Sequence, residues 1–283
     1  MNESILVVRP GALGDTILAL PLLQSVRARH PGGQITFLGS RAYLDLVPTD
    51  VTAEAIDARQ WLWLFETDAT EIHRHGRAWD HAYLVLKNPE PLIRSLSIAG
   101  TRHVESVSSA PIEGTHLVAS MHQGLGLPLP HKAPALARLV PRRPRLDVIW
   151  VHPGSGGPRK CAPLDLLASY AEEASRKTAL PIVITVGEAD GFLSALQGWE
   201  RLVGLASKVC EDRPLLEIVS ELGHAALFIG NDSGMSHLAA GLGVPSTVFF
   251  VTTDPVQWAP WVLEDQVTVV DLRGRTKGVN SKL

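Results

Sequence analysis

The chain has 283 residues, of which 45% are hydrophobic and 19% charged, enough to bury one large core or two smaller ones when domains run to about 100–150 residues. Its 26 lysines and arginines stand against 29 acidic residues, and a net charge of −3 supplies no field to hold a nucleic-acid backbone by counterion release. Nucleic acid is therefore not expected as the main partner.

The first residues, MNESILVVRPGALGD, carry an acidic start and a short apolar stretch from Ile5 to Val8. A signal peptide has a basic start and about 7–15 apolar residues, and a membrane span needs about 20, so no transmembrane segment is expected and the cytoplasm is the natural location. Two cysteines, Cys161 and Cys210, offer no disulfide framework.

Apolar, β-rich runs then alternate with helical patterns. ILVVR is followed by a helix over about residues 15–29, then QITFLG, a helical stretch at WLWLFETDATEIHRH, the strand HAYLVLK, a helix at EPLIRSLSIAG, a weaker strand at RHVESVSS and a helix near THLVASMHQGLG. Such alternation predicts an α/β fold with a parallel sheet, and the nearly continuous apolar runs suit strands covered on both faces. Proline recurs and aliphatic periodicity is lost in PLPHKAPALARLVPRRPRLD, which predicts a linker near residues 128–145. Beyond it the alternation restarts with DVIWVHPG, PLDLLASYAEEASRK, LPIVITVG, RPLLEIVSELGH, ALFIGND, SGMSHLAAGLG and PSTVFFV. Two domains of similar build are expected, over residues 1–135 and 146–283.

Three turns, each directly after a strand, have the chemistry to hold an anion. In RPGALGDTILALP, Gly11 and Gly14 let backbone approach a ligand, while the middle glycine of a dinucleotide fingerprint is missing, which disfavours an NAD-dependent oxidoreductase. Asp15 either caps the following helix or presents a carboxylate where open α/β sheets place their ligands, and Pro21 implies a kink in that helix. HPGSGGPRKCAP combines Gly154, Gly156 and Gly157 with the Ser155 hydroxyl and the adjacent cations Arg159 and Lys160, which suit a diphosphate as readily as a solvated loop. In IGNDSGMSHLAAGLG, Asn231, Asp232, Ser233 and Gly234 sit at a helix N-terminus, with His237 one turn further on, either beside a ligand or packed in the core.

The segments GALGD…ALP, HPGSGGPRK and NDSGMSHLAAGLGVPSTVFF…TDPVQWAPW resemble, in order and spacing, the ADP-heptose:lipopolysaccharide heptosyltransferases, over about residues 4 to 262. The resemblance implies a GT-B fold of two Rossmann-like domains facing a central cleft, with acceptor held by the first and nucleotide-sugar donor by the second. It implies inverting transfer without metal or other cofactor, with Asp15 as general base, Lys160 on the donor phosphates, and Asp232, Ser233, Gly234 and His237 on the donor sugar and phosphates. Ser155 and Arg159 join the donor side. A nucleoside-binding carboxylate is implied after the next strand, where Glu188 and Asp190 both stand, with Glu188 taken as the donor contact. Glu188-Ala-Asp190 looks superficially like a D-x-D metal site of another glycosyltransferase fold, but its place in a second domain argues against metal. The implied partners are a nucleotide sugar and a glycan or glycolipid acceptor at the inner face of the inner membrane, where a cytoplasmic enzyme would work peripherally.

Gly14, Lys87 and Arg94 are the acceptor-side candidates, whereas Trp61, Trp63 and Trp79 either stack on a sugar or fill the core. Family members are usually longer, with a final helix crossing back to the first domain. Here the tail VLEDQVTVVDLRGRTKGVNSKL reads as a strand and a polar end, so that helix is expected to be absent or shortened. The alternatives are a GT-B-fold transferase or epimerase using another nucleotide sugar, and a non-catalytic nucleotide-sugar-binding protein.

Overall fold

The computed structural model describes residues 2–133, 135–139 and 146–274, so part of the expected linker (134 and 140–145) and the end of the tail (275–283) lie outside the described residues. The chain falls into two compact units that divide between His131 and Lys132.

The first unit runs β1 (Ser4–Val8), α1 (Leu13–Arg29), β2 (Gln34–Gly39), β3 (Thr52–Ala55), α2 (Ala69–His75), β4 (His81–Val85), α3 (Glu90–Ile98), β5 (His103–Val107) and α4 (Leu117–Gly124). Its parallel sheet has the order β3-β2-β1-β4-β5. The chain moves outward from β1 to β3, then returns to the other side of β1 at β4. The β1/β4 boundary is therefore a topological switch, the place where loops splay apart and open α/β sheets bind ligands.

The second unit repeats the plan with β6 (Leu146–His152), α5 (Leu164–Thr178), β7 (Ile182–Val186), α6 (Trp199–Gly204), β8 (Ala206–Glu211), α7 (Leu215–Leu222), β9 (Ala225–Asn231), α8 (Gly234–Gly241), β10 (Ser246–Phe250), α9 (Pro255–Trp258) and β11 (Val267–Asp271). Its order, β11-β10-β9-β6-β7-β8, is parallel throughout and puts the switch between β6 and β9. The turns after those two strands are the HPGSGGPRK and NDSG segments.

Continuous apolar strands have a direct physical reason. Ile5 to Val8 and Ala82 to Val85 are buried, because helices cover both faces of the sheet, and each such aliphatic side chain contributes about 1.5–3 kcal/mol. Trp61, Trp63 and Trp79 are buried too, with Trp79 ring centroids 5.7 Å from Trp61 and 6.2 Å from Trp63, so of their two expected roles the core one is found.

The single helix expected over WLWLFETDATEIHRH is instead a 3-10 helix (Arg59–Phe65) and the separate α2. Carboxylates between them draw the backbone out of the helix: Glu66 accepts from the Thr67 amide at 2.7 Å, and Asp68 caps α2 by accepting from Thr70 N at 2.7 Å. Helix α1 runs on through Pro21. Among the described residues no helix is long and apolar enough to cross a membrane.

Candidate active site

In the first unit the site is built on the turn from β1 into α1. Arg9 N donates to Leu38 O at 3.0 Å, and Ser40 Oγ accepts from Gly11 N at 2.9 Å while donating to Gly11 O at 2.6 Å, so the turn is pinned to the end of β2. Gly11 has φ +150°, and a Cβ there would run into the Asp15 carboxylate, which explains the glycine. Asp15, the third residue of α1, accepts from Ala12 N at 2.8 Å and from the Arg9 guanidinium at 2.5 Å. It does cap the helix, yet 28% of its side chain stays exposed against 5% for Arg9. A carboxylate has about four lone-pair positions, so two bonds leave room for a third partner.

Burial pushes the Arg9 guanidinium below its ordinary pKa, and Asp15 opposes that shift; an arginine nevertheless stays charged. Arg9 was not singled out from the sequence. Gly14, beside Asp15, is half-buried, and Lys87 is exposed just past the end of β4, across the switch from the β1 turn. Arg94 points elsewhere, donating to the carbonyls of Glu66 at 3.3 Å and Thr67 at 2.6 Å. No hydrogen bond or ion pair joins Lys87 or Arg94 to Asp15 among the described residues.

In the second unit two turns are laced together. Asn231, fully buried at the end of β9, donates through Nδ2 to Pro153 O at 2.7 Å and accepts from Ala162 N at 2.9 Å, holding both ends of the turn after β6. Ser155 Oγ donates to Asp232 O at 2.7 Å. The Asp232 carboxylate, 9% exposed, takes the Thr253 hydroxyl at 2.5 Å and lies 3.5 Å from Lys160 Nζ, whose side chain is 42% exposed. Arg159 is exposed beside it.

Ser233 is the N-cap residue of α8, but its hydroxyl makes no cap bond, and Ser233 Oγ is buried without a hydrogen-bond partner among the described residues. The backbone amides of Ser236 and His237 return to Ser233 O, which leaves the amides before them, at the positive end of the helix dipole, outside the intrahelical ladder. His237 is buried one turn along α8. A half-exposed lysine, an exposed arginine, a hydroxyl without a partner among the described residues and helix amides have the chemistry to receive a phosphate or diphosphate.

The structure separates the two carboxylates after β7. Asp190 is 4% exposed, accepts from Gly187 N at 3.0 Å and lies 3.7 Å from His152 Nε2. It packs so tightly on Gly154 that a Cβ there would overlap its carboxyl group. Asp190 therefore supports the turn after β6 from behind, while Glu188 is exposed at the start of the 3-10 helix Glu188–Ala195. His152 has its pKa lowered, mainly by burial and against the pull of Asp190. Burial, with Asp190 adding to it, pushes the Cys161 thiol up to about 11, so it is no nucleophile at neutral pH.

These features define a two-unit α/β protein of the GT-B fold class, with glycine-rich turns and two cations at the switch point of one sheet and a carboxylate at the switch point of the other. The glycosyltransferase family 9 (heptosyltransferase) model matches residues 64–281, and the chain belongs to that family of glycosyltransferases. The β1–α1 turn precedes the matched span. Lipopolysaccharide heptosyltransferase 3 of Escherichia coli K12 is 32% identical over 98 residues, 31% of this chain and 26% of that protein, so the likeness spans about a quarter of the relative's length.

Among solved structures, the glycosyl transferase family 9 protein from Veillonella parvula aligns with a TM-score of 0.71 at 18% identity, over 96% of this chain and 86% of the other. E. coli heptosyltransferase WaaC with ADP gives 0.66 at 16% identity, over 95% and 93%. The GT-B fold likeness extends to the iron-containing dodecameric glycosyltransferase TibC of enterotoxigenic E. coli, with a TM-score of 0.56 at 15% identity over 93% of this chain and 62% of that one.

Proposed function

We propose that the protein transfers a heptose, or a closely related sugar, from an ADP-sugar to a lipopolysaccharide-core or similar glycan acceptor, with inversion and without a metal ion. The observation that carries this reading is the turn in the second unit where Lys160, next to exposed Arg159, lies 3.5 Å from Asp232, two residues before α8, while the Ser233 hydroxyl has no hydrogen-bond partner among the described residues. Two cations and a helix N-terminus together match the charge of a diphosphate leaving group, the task a divalent ion performs in other transferases.

In this reading the second unit holds the donor. Ser155 and Asp232 shape the seat, Gly234 and Ser233 offer amides, His237 lines its floor and Glu188 meets the nucleoside. The first unit holds the acceptor, with Gly14 and Lys87 beside the β1/β4 switch and Arg94 acting through the loop it anchors. The acceptor hydroxyl oxygen attacks the anomeric carbon as the bond from that carbon to the diphosphate oxygen breaks. The electron pair leaves with ADP, and the hydroxyl proton passes to the Asp15 carboxylate. The reaction belongs in the cytoplasm, with the glycolipid acceptor presented at the inner membrane face.

The test is acceptor-dependent ADP release from ADP-heptose in the presence of EDTA, compared with UDP- and GDP-sugars, with the product's anomeric configuration read by NMR. Turnover with the ADP-sugar, unaffected by chelator and inverted at the anomeric carbon, is expected. Preference for another nucleotide, retention of configuration, or activity that is lost in chelator and restored by Mg²⁺ or Mn²⁺ would overturn the corresponding part of the reading.

A further inference from the structure

A second constellation lies in the first unit at the opposite end of the sheet from Asp15, separated from it by the length of β1, about 17 Å for five residues. Glu3 precedes β1, His81 opens β4, His103 opens β5, and His30 is the C-cap residue of α1. The Glu3 carboxylate lies 2.7 Å from His30 Nδ1 through one oxygen and 3.9 Å from His81 Nε2 through the other. One ligand atom from each of the three residues falls within 4.8 Å of the other two. The glycosyl-transfer reading uses none of them.

We propose that Glu3, His30 and His81 form a binding site for a borderline divalent transition-metal ion such as Zn²⁺, which clips the start of the chain to the base of the first sheet. Two imidazoles and one carboxylate make a donor set suited to zinc and poorly suited to magnesium or calcium, which prefer all-oxygen shells. Zinc ligands at about 2.0–2.2 Å from the ion stand roughly 3.3 Å apart in tetrahedral geometry. The Glu3–His30 and Glu3–His81 separations of 2.7 and 3.9 Å, made through different carboxylate oxygens, lie on either side of that value, and the Glu3 side chain, 51% exposed, has room to bring one oxygen to both rings.

The surroundings also fit. His30 is 5% exposed, and its far nitrogen, Nε2, is hydrogen-bonded to the buried Tyr83 hydroxyl at 2.8 Å, the outer contact that orients a metal-bound imidazole. His81 Nδ1 is buried with no hydrogen-bond partner among the described residues, so no bond on that side fixes the ring. The His30 and His81 rings lie 4.4 Å apart, with His103 stacked 4.8 Å beyond. Backbone holds the frame: Gln34 N donates to Glu3 O at 2.7 Å.

Tag-free protein, stripped with chelator and then freed of it, is titrated with ZnCl₂ by calorimetry, with MgCl₂ and CaCl₂ as controls, and its melting temperature is followed in parallel. One zinc equivalent and a raised melting temperature are expected, with no response to magnesium or calcium. Glu3→Gln and His81→Asn should each weaken that equivalent by roughly 100-fold or more, since outer contacts alone are worth 10–100-fold. The visible spectrum of the Co²⁺-substituted wild type gives a readout without a variant, with d–d bands of a four- or five-coordinate site expected. No zinc uptake at micromolar concentration, uptake unchanged in both variants, or a six-coordinate aquo-type cobalt spectrum would overturn the proposal.

Discussion

Removing either partner of the Arg9–Asp15 pair should have unequal consequences, because the two side chains are unequally buried. Asp15→Ala leaves a guanidinium that is 5% exposed, has no partner at Nε among the described residues and cannot shed its proton, and an uncompensated buried charge costs about 3–5 kcal/mol. Arg9→Met leaves a carboxylate that is 28% exposed and still accepts from Ala12 N, so only a charge-assisted hydrogen bond of about 1.5–3 kcal/mol is lost. For a unit of this size Asp15→Ala should lower the melting temperature by roughly 10–20 °C. The double variant should be more stable than Asp15→Ala alone, since Met fills the place of the stranded cation. Differential scanning calorimetry of the four proteins checks the order. If Asp15→Ala melts with the wild type, or Arg9→Met is the more damaged of the two, the pair does not hold the turn as described.

The proposed donor seat gives a second expectation: Lys160→Ala should weaken ADP binding by about 10- to 100-fold, the worth of one charge-assisted contact, and lower turnover with it, as calorimetry and steady-state rates would show. Glu188→Gln should reduce ADP affinity without moving the melting temperature. Asp190→Asn should do the reverse, because that carboxyl group is buried against Gly154 and caps Gly187; exchanged phenotypes would reverse the assignment.

Acid should destabilise the second unit through His152. Its folded-state pKa lies below the unfolded value of about 6.5, so the unfolded chain binds the extra proton first, and stability falls as pH drops through that value, by up to about 1.4 kcal/mol per pH unit. His152→Gln should flatten that limb in urea melts between pH 7 and 5, and an unchanged slope would contradict the buried neutral ring.

The long apolar strands and the glycine turns after them were legible because burial on both faces and close backbone approach leave direct marks in sequence. Edge strands β3 and β8 left none: TAEA and ASKVCE are short and polar, and backbone pairing alone makes them strands. Asp15, Lys160 and Asp232 could be singled out as candidates by place and charge. Arg9 and Thr253, which determine what those groups touch, did not, because a strand-end arginine and a loop threonine acquire roles only once folding brings Asp15 and Asp232 to them. Likewise Glu188 and Asp190 share one local pattern, and only the approach of Gly154 distinguishes them. The histidines at the base of the first sheet are scattered along the chain from residue 30 to residue 103, and parallel pairing is what gathers them.

The most direct test of the transfer chemistry is the turnover of Asp15→Ala with ADP-heptose and a heptose-acceptor glycan, measured well below its melting transition alongside ADP affinity. The account predicts kcat lower by about 10²–10⁴ with ADP binding little changed. Wild-type turnover in that variant would contradict it.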